Sequence, residues 1–436
     1  MVSIGSAEES AIRKLRRRLI PFLFVLYIAA WLDRVNVGFA ALQMNDALRF
    51  SAAAFGFGSG IFFLGYCLFE VPSNFILHRV GARRWIARIM VSWGIIAAAM
   101  MLVRTPGQFY LLRFLLGVAE AGFFPGVVYY LSYWFPRQYR ARAVGTFMMA
   151  IPVAGVLGGP LSGALLGLDG AMGLAGWQWL FLLEGLPSVV LGICAWNCLC
   201  DRPQEARWLT QSEKAALTTR LALEDNELQD AHAIGAMASL RNPTVWHLGA
   251  IFFLANLGSY AYSIWSPQII KSFMGADNLM VGLISGAISV IVIAAMALNN
   301  AHSDRTGERL LHVSIPLGIM ACGFGACAVL GHSPWAVVLL ALVPIGIGAA
   351  YGPFWSIPCS FLVGKAAAAG IATVATLANF AGFVGPTLVG TLKSQTGDYT
   401  AGLFVLGGAA GVAALLTLPL QRGAAIAGRQ LPVIAK

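Results

Sequence analysis

Long apolar stretches alternate with short polar breaks along nearly the whole chain. Residues 19–32, LIPFLFVLYIAAWL, are apolar without interruption, and the sequence turns apolar again at Val35. A bilayer core about 30 Å thick takes roughly 20 such residues per helical span. Stretches of that length centre near residues 30, 66, 94, 120, 155, 188, 258, 290, 320, 347, 380 and 410. The pattern therefore predicts an all-α membrane protein with twelve transmembrane helices. The first apolar run is too long for a cleavable signal peptide and lacks a small-residue cleavage site, so it reads as span one.

Residues 201–242 form the one long polar interruption, and they split the chain into six-span halves at 19–200 and 243–420. Within the connector, Thr210-Gln-Ser-Glu213 reads as a capping box opening a short helix. The halves echo each other. The segment 78-HRVGARR-84 follows span two and 304-DRTGERL-310 follows span eight, an offset of 226; the same offset relates 159-GP-160 to 385-GP-386. Two matches at one offset indicate duplication, a common plan for secondary transporters whose substrate site lies near the midplane between the repeats. Gly155, Gly159 and Gly163 recur every four residues, which lets a neighbouring backbone approach span five.

Composition agrees with the pattern: of 436 residues, 58% are hydrophobic and only 11% charged, where a soluble domain carries about a quarter charged. The net charge of +10 is distributed by side, not gathered for nucleic acid. With the N-terminal tail and alternate loops on one side, about 23 of the 29 Lys and Arg fall there, as the positive-inside rule predicts for cytoplasmic termini. The tail 1–18, with 13-RKLRRR-18, reads as a topology determinant against anionic lipid, and 421–436 as a cytoplasmic C-terminal tail. The seven cysteines read as small buried hydrophobes; Cys194, Cys198 and Cys200 have no His or carboxylate spaced to complete a metal site. No metal, cofactor or disulfide is expected.

Ionised groups inside spans are expensive and mark function. The six found are Asp33 and Arg34 in span one, Glu70 in span two, Arg113 and Glu120 in span four and Glu184 in span six. All lie in the first half. The second half offers neutral polar groups: Asn256, Tyr260, Tyr262, Trp355 and Asn379. The first half thus carries charge recognition and coupling, and the second closes over the ligand. Asp33 and Arg34 sit about 20 Å along span one at 1.5 Å per residue. Arg113 and Glu120 are two turns apart on one face of span four, so the four groups reach compatible depths. A static salt-bridge cluster is the structural alternative, but buried pairs add little net stability. Glu70 reads toward the cytoplasmic end, beside Arg79 or Arg83. Glu184, in 184-EGLP-187, reads as structural, near the outer end of its span.

Arginine stays charged and its planar fork matches a carboxylate. Aspartate and glutamate exchange protons. An acid paired with an arginine blocks an anion while ionised, and protonation frees the arginine, so proton and anion favour each other's binding. Asp33 and Glu120 are thus candidate proton carriers, with Arg34 and Arg113 as carboxylate contacts.

Six segments carry a family resemblance: 32-LDRVNVGFA-40, 70-EVPSNFILHRVGARRW-85, 113-RFLLGVAEAGFFPGVVYYLSYWFP-136, 177-WQWLFLLEGLPS-188, 302-HSDRTGER-309 and 379-NFAGFVGPTLVGTLKSQTG-397. Over about residues 15 to 420 the chain resembles major facilitator superfamily transporters of the anion:cation symporter family. The resemblance implies two pseudo-symmetric six-helix bundles and proton-driven import of an organic anion such as a sugar acid, tartrate, phthalate or hydroxyphenylacetate. It places proton coupling on Asp33 and Glu120, and substrate contacts on Arg34, Arg113, Tyr66 and Asn379; Tyr262 and Trp355 are added as substrate contacts from the neutral polar groups of the second half. The loop motifs supply gating positions Arg79, Gly81, Arg83, Asp304, Arg305 and Gly307. His78 stands where the family usually has Asp. Ile151, and Ala375-Thr376, stand where sugar-acid carriers have polar contacts, which favours a smaller or more apolar carboxylate.

The expectation is a monomeric, multi-pass protein of a bacterial inner membrane, not an enzyme, using protons as coupling ion. A proton antiporter exporting a small molecule, or a non-transporting anion sensor, is the alternative.

Overall fold

A computed structural model describes residues 4–230, 241–331, 333–361 and 364–420. The expected tail 421–436 and residues 231–240 of the connector lie outside the described residues. Twelve helices or helix pairs are long and apolar enough to cross a membrane, and each centre read from the sequence falls in one of them. No strand occurs among the described residues.

The chain divides into two compact units, residues 1–43 with 61–232, and residues 44–60 with 233–436. Sequence periodicity gives no hint that the end of the first helix and the start of the second group with the later unit. The first unit holds most of α1 (Ile4–Leu48) and α2 (Ala52–Val80), then α3 (Ala82–Ala99), α4 (Pro106–Glu120), α5 (Phe123–Ser132), α6 (Arg137–Met148), α7 (Ala150–Leu166), α8 (Gly176–Cys198) and α9 (Gln211–Asp230). The second holds α10 (Pro243–Met274), α11 (Asn278–Thr306), α12 (Leu311–Leu330), α13 (Pro334–Leu340), α14 (Leu342–Phe361), α15 (Gly364–Thr396) and α16 (Thr400–Thr417).

The repeat seen in the sequence reappears as packing. In the first unit the third and sixth spans, α3 and α8, lie along one another; in the second the corresponding pair is α12 and α16. Small residues make the first of these contacts: a Cβ on Gly94 would meet the Val189 nitrogen at 2.8 Å, and one on Gly185 the Ala98 nitrogen at 2.6 Å. Close backbone approach of this kind replaces hydrophobic burial as the source of helix association in lipid.

Both loop motifs turn on a left-handed residue, Gly81 at φ 93° and Gly307 at φ 70°. In the first, Asp201 beyond α8 accepts the Arg83 backbone N–H at 2.8 Å, and so caps α3 from a distance in sequence. The Arg83 guanidinium lies 5.8 Å over the Trp196 ring. His78, where an acid was expected, packs instead against Tyr129 with ring centroids 4.0 Å apart. In the second motif Asp304 pairs with Arg309 at 2.6 Å, and Glu308 accepts the Leu311 N–H at the start of α12. Arg79 and Arg305 are exposed.

The basic tail is not a separate segment. It is the first part of α1, with Ala7, Ala11, Ile12 and Leu15 buried. Lys14 and Ser10 both donate to the Glu213 carboxylate at 2.8 Å, Arg16 lies 5.5 Å over Tyr139, and Arg18 lies 5.5 Å over Trp208. Protein contacts therefore engage a face assigned from sequence to lipid. The capping box forms: Thr210 and Glu213 exchange side-chain bonds to each other's backbone N–H.

Burial alone would raise the Glu213 carboxyl, but hydrogen bonds from Lys14, the Thr210 N–H and Ser10 outweigh it and hold it at about 2. A carboxylate held down stabilises the fold fully above its unfolded value of about 4.3 and loses that contribution as pH falls toward the folded value. Glu213→Gln is expected to weaken tail docking by about 1 kcal/mol, the scale of a net hydrogen bond, since Lys14 is 41% exposed and screened. Hydrogen exchange over residues 7–18 checks this: the variant exchanges faster near neutral pH, and the difference from wild type narrows below pH ~4 and closes only toward the folded value of about 2.

Candidate functional site

Asp33 and Arg34 are adjacent on α1 and so point about 100° apart around the helix. They face different neighbours. Asp33 turns to α3 and α8, where its Oδ2 accepts from Trp93 Nε1 and from Ser188 Oγ, each at 2.7 Å. Arg34 turns to α2 and α4, where it pairs directly with Glu120. Its guanidinium also lies over the rings of Trp31, Phe62 and Tyr66, 5.2–5.5 Å from each centroid. Arg113, two turns from Glu120 on α4, lies 4.8 Å over the same Phe62 ring. Five of the predicted site residues, Asp33, Arg34, Tyr66, Arg113 and Glu120, thus occupy one region of the first unit, and two guanidiniums lie against one aromatic ring.

This region is dry. Asp33 is 2% exposed, Arg113 1% and Glu120 3%. Cations over ring faces gain most when desolvated, about 2 kcal/mol or more. The Arg34–Glu120 pair therefore sits in a medium where charge–charge terms exceed those in water several-fold.

Span four breaks where this chemistry sits. Helix α4 ends at Glu120, Ala121 leaves helical geometry at φ −53°, ψ 130°, and Gly122 has φ 84°, ψ 0° before α5 resumes. That φ favours glycine, and a Cβ on Gly122 would run into the Ser73 hydroxyl. Ser73 accepts from Trp85 Nε1 at 2.9 Å, and Arg88, 3.9 Å over the Trp85 ring, donates to the Ala119 carbonyl at 3.4 Å. A cation at a helix C-terminus complements its free carbonyls and dipole. The break was not foreseen; the short Ala121-Gly122 step, with no proline in it, is its only sequence signal.

Glu184 does not sit near an end. It lies about 12 Å along α8 at 1.5 Å per residue, 5% exposed, and its Oε1 accepts from Ser162 Oγ at 2.8 Å. Asn36 and Asp33 are its neighbours on α1. Glu70 lies on the same helix as Tyr66 and acts on it electrostatically.

The second unit assembles a neutral polar cluster. Tyr260 donates to Asn379 Oδ1 at 3.2 Å, and Tyr351 donates to Asn256 Oδ1 at 3.3 Å. Trp355 packs edge-on to Phe252, centroids 5.0 Å apart. Tyr262 does not join them. Two residues from Tyr260 is more than half a turn, and its phenol lies beside Ser266 and Cys327. Nor is this unit without charge in its spans, since Lys271 and Lys393 lie in the last turns of α10 and α15. Lys393 donates to the Tyr399 hydroxyl at 2.6 Å. Among the described residues, no group of three or more His, Cys, Asp or Glu side chains is placed to hold a metal ion.

Comparison with known proteins agrees with this architecture. A putative tartrate transporter of Agrobacterium vitis is 47% identical over 422 residues, 97% of this chain and 93% of its own. The putative metabolite transport protein NicT of Pseudomonas putida is 45% identical over 420 residues, 96% of each chain. A bacterial homologue of the human lysosomal transporter Spinster, solved inward-facing and occupied, superposes with a TM-score of 0.75 over 93% of this chain and 96% of its own; at 17% identity that likeness concerns the fold alone. The Major Facilitator Superfamily pattern matches residues 23–386, so the chain belongs to that superfamily of membrane transporters.

Proposed function

We propose that the protein imports a small organic anion, a di- or monocarboxylate of tartrate-like size, together with protons by alternating access. The observation that carries this reading is the Arg34–Glu120 pair, buried beside Arg113 and one aromatic ring. While Glu120 is ionised it occupies Arg34. A proton on Glu120 removes that partner, and leaving a buried guanidinium unpaired is costly, so a substrate carboxylate then becomes its favoured counter-ion. Arg113 supplies a second planar fork. Asp33 serves as a second proton carrier, and the linkage is reciprocal: anion favours proton as proton favours anion. The name of one relative, a putative tartrate transporter, supports the substrate class.

In this reading the 19–200 and 243–420 halves are the rocking elements, both termini face the cytoplasm of a bacterial cell, and a single chain suffices. Within the second half, the neutral polar side chains offered as candidates are Asn379, Trp355 and Tyr260. The loop motifs at Arg79, Gly81 and Arg83, and at Asp304, Arg305 and Gly307, govern the conformational change.

The test is external pH in lightly buffered suspensions of cells expressing the protein, after pulses of tartrate, phthalate, 4-hydroxyphenylacetate or galactonate. Alkalinisation with one acid, absent from cells without the protein, is the expected result. Saturable uptake of an acid with no pH change would overturn proton coupling, and no uptake of any acid would overturn the substrate class.

A further inference from the structure

Behind the Arg34–Glu120 pair lies a second polar cluster that ion pairing does not explain. Asp33, Asn36, Trp93, Ser162, Glu184 and Ser188 come from α1, α3, α7 and α8, and each is at most 5% exposed. Acids act on one another here: Glu120 acts electrostatically on Asp33, and Asp33 on Glu184. Arg34, the nearest cation in sequence, pairs with Glu120.

Two carboxylates in one dry space cannot both remain ionised without a counter-charge. The donors present are distributed unequally. Asp33 Oδ2 collects two, from Trp93 and Ser188, while Glu184 Oε1 collects one, from Ser162. The atoms left without a partner are three oxygens, Asp33 Oδ1, Glu184 Oε2 and Asn36 Oδ1, and one donor, the amide Nδ2 of Asn36. The two N–H bonds of that amide cannot serve all three oxygens, one of which is its own, and a buried polar atom is ordinarily satisfied. A protonated carboxyl supplies that missing donor. Asp33, with two donors on one oxygen, is the better anion; Glu184 is the better holder of the proton.

We propose that Asp33 and Glu184 form a buried carboxyl pair that holds one shared proton, which makes Glu184 a proton-coupling residue alongside Asp33. The inference rests on the proton-coupled reading of the site, but the pair is detectable without it. During coupling the proton leaves one carboxyl and is taken up by the other, one O–H bond breaking as one forms. The Asn36 amide lies beside Glu184.

Two measurements on purified protein in liposomes separate the questions. Infrared difference spectroscopy reads the C=O stretch of a protonated buried carboxyl at neutral pH. The band is expected in wild type and absent in Glu184→Gln; its absence in wild type, or its persistence in the variant, overturns the proposal. Uptake is then compared as exchange at equal pH and as accumulation driven by a pH gradient. Glu184→Gln is expected to keep exchange within about threefold and to lose at least tenfold in accumulation. Equal accumulation by variant and wild type overturns the coupling role. So does uptake that requires sodium, since the same oxygens would then be cation ligands. A wild-type band without gradient-driven accumulation refutes the proposed symport and leaves the pair standing. If Glu184→Gln fails to fold, Ser162→Ala keeps both carboxyls and removes one donor to Glu184: the band is expected to move in frequency, and an unmoved band overturns the assignment.

Discussion

Arg113→Lys is expected to weaken binding of the transported acid at least tenfold, although the positive charge is kept. Arg113 is 1% exposed and its guanidinium lies 4.8 Å over Phe62. The flat, weakly hydrated guanidinium tolerates that position, and an ammonium does not share its stacking or its two parallel N–H bonds. Losing one charge-assisted hydrogen bond of about 1.5–3 kcal/mol corresponds to roughly ten- to hundredfold in affinity. A buried lysine also sheds its proton more readily than arginine, which would cost the charge itself at alkaline pH. Intrinsic tryptophan fluorescence titrated with the acid checks the affinity, and thermal unfolding checks that the variant is folded. An unchanged dissociation constant in a folded variant would remove Arg113 from the substrate site.

The parts of this molecule visible in its sequence are those with a large free-energy signature in lipid. Apolar length marks the twelve spans, and a charge inside a span stands out against that background. Asp33, Arg34, Arg113 and Glu120 were visible for this reason, and spacing alone brought the latter two to one face. The uncharged partners were not visible. Trp93, Ser162 and Ser188 are ordinary residues for a membrane helix, and only the fold turns them toward Asp33 and Glu184. Glu184 was misplaced because depth was counted from an assumed helix end; α8 runs Gly176–Cys198, which puts the residue well inside. Tyr260 and Tyr262 differ by helical phase, which a short segment with several polar residues does not fix. The N-terminal tail was read through its arginines, while the small apolar set Ala7, Ala11, Ile12 and Leu15, which buries one face of that helix, is too weak a stripe to announce a docking surface.

Glu120→Gln is the change that separates binding from coupling. The amide keeps the shape and can still accept a hydrogen bond from Arg34, but it carries no charge and takes up no proton. Removing one partner of a buried pair ordinarily costs about 3–5 kcal/mol because the other charge is stranded. Here a substrate carboxylate can take the vacated place. The variant is therefore expected to unfold at lower temperature without ligand and to regain more of that loss with the acid than wild type does. Linkage stabilisation grows with affinity as RT ln(1 + [L]/Kd), so ligand stabilisation larger than wild type's reports an arginine released to the substrate. Exchange at equal pH should survive within about threefold, its rate nearly independent of pH, while accumulation against a gradient falls at least tenfold. If accumulation persists, Glu120 is not a proton carrier. If exchange and ligand stabilisation vanish together in a folded variant, Glu120 instead holds Arg34 in its binding pose, and the proton must travel by Asp33 and the carboxyl beside it.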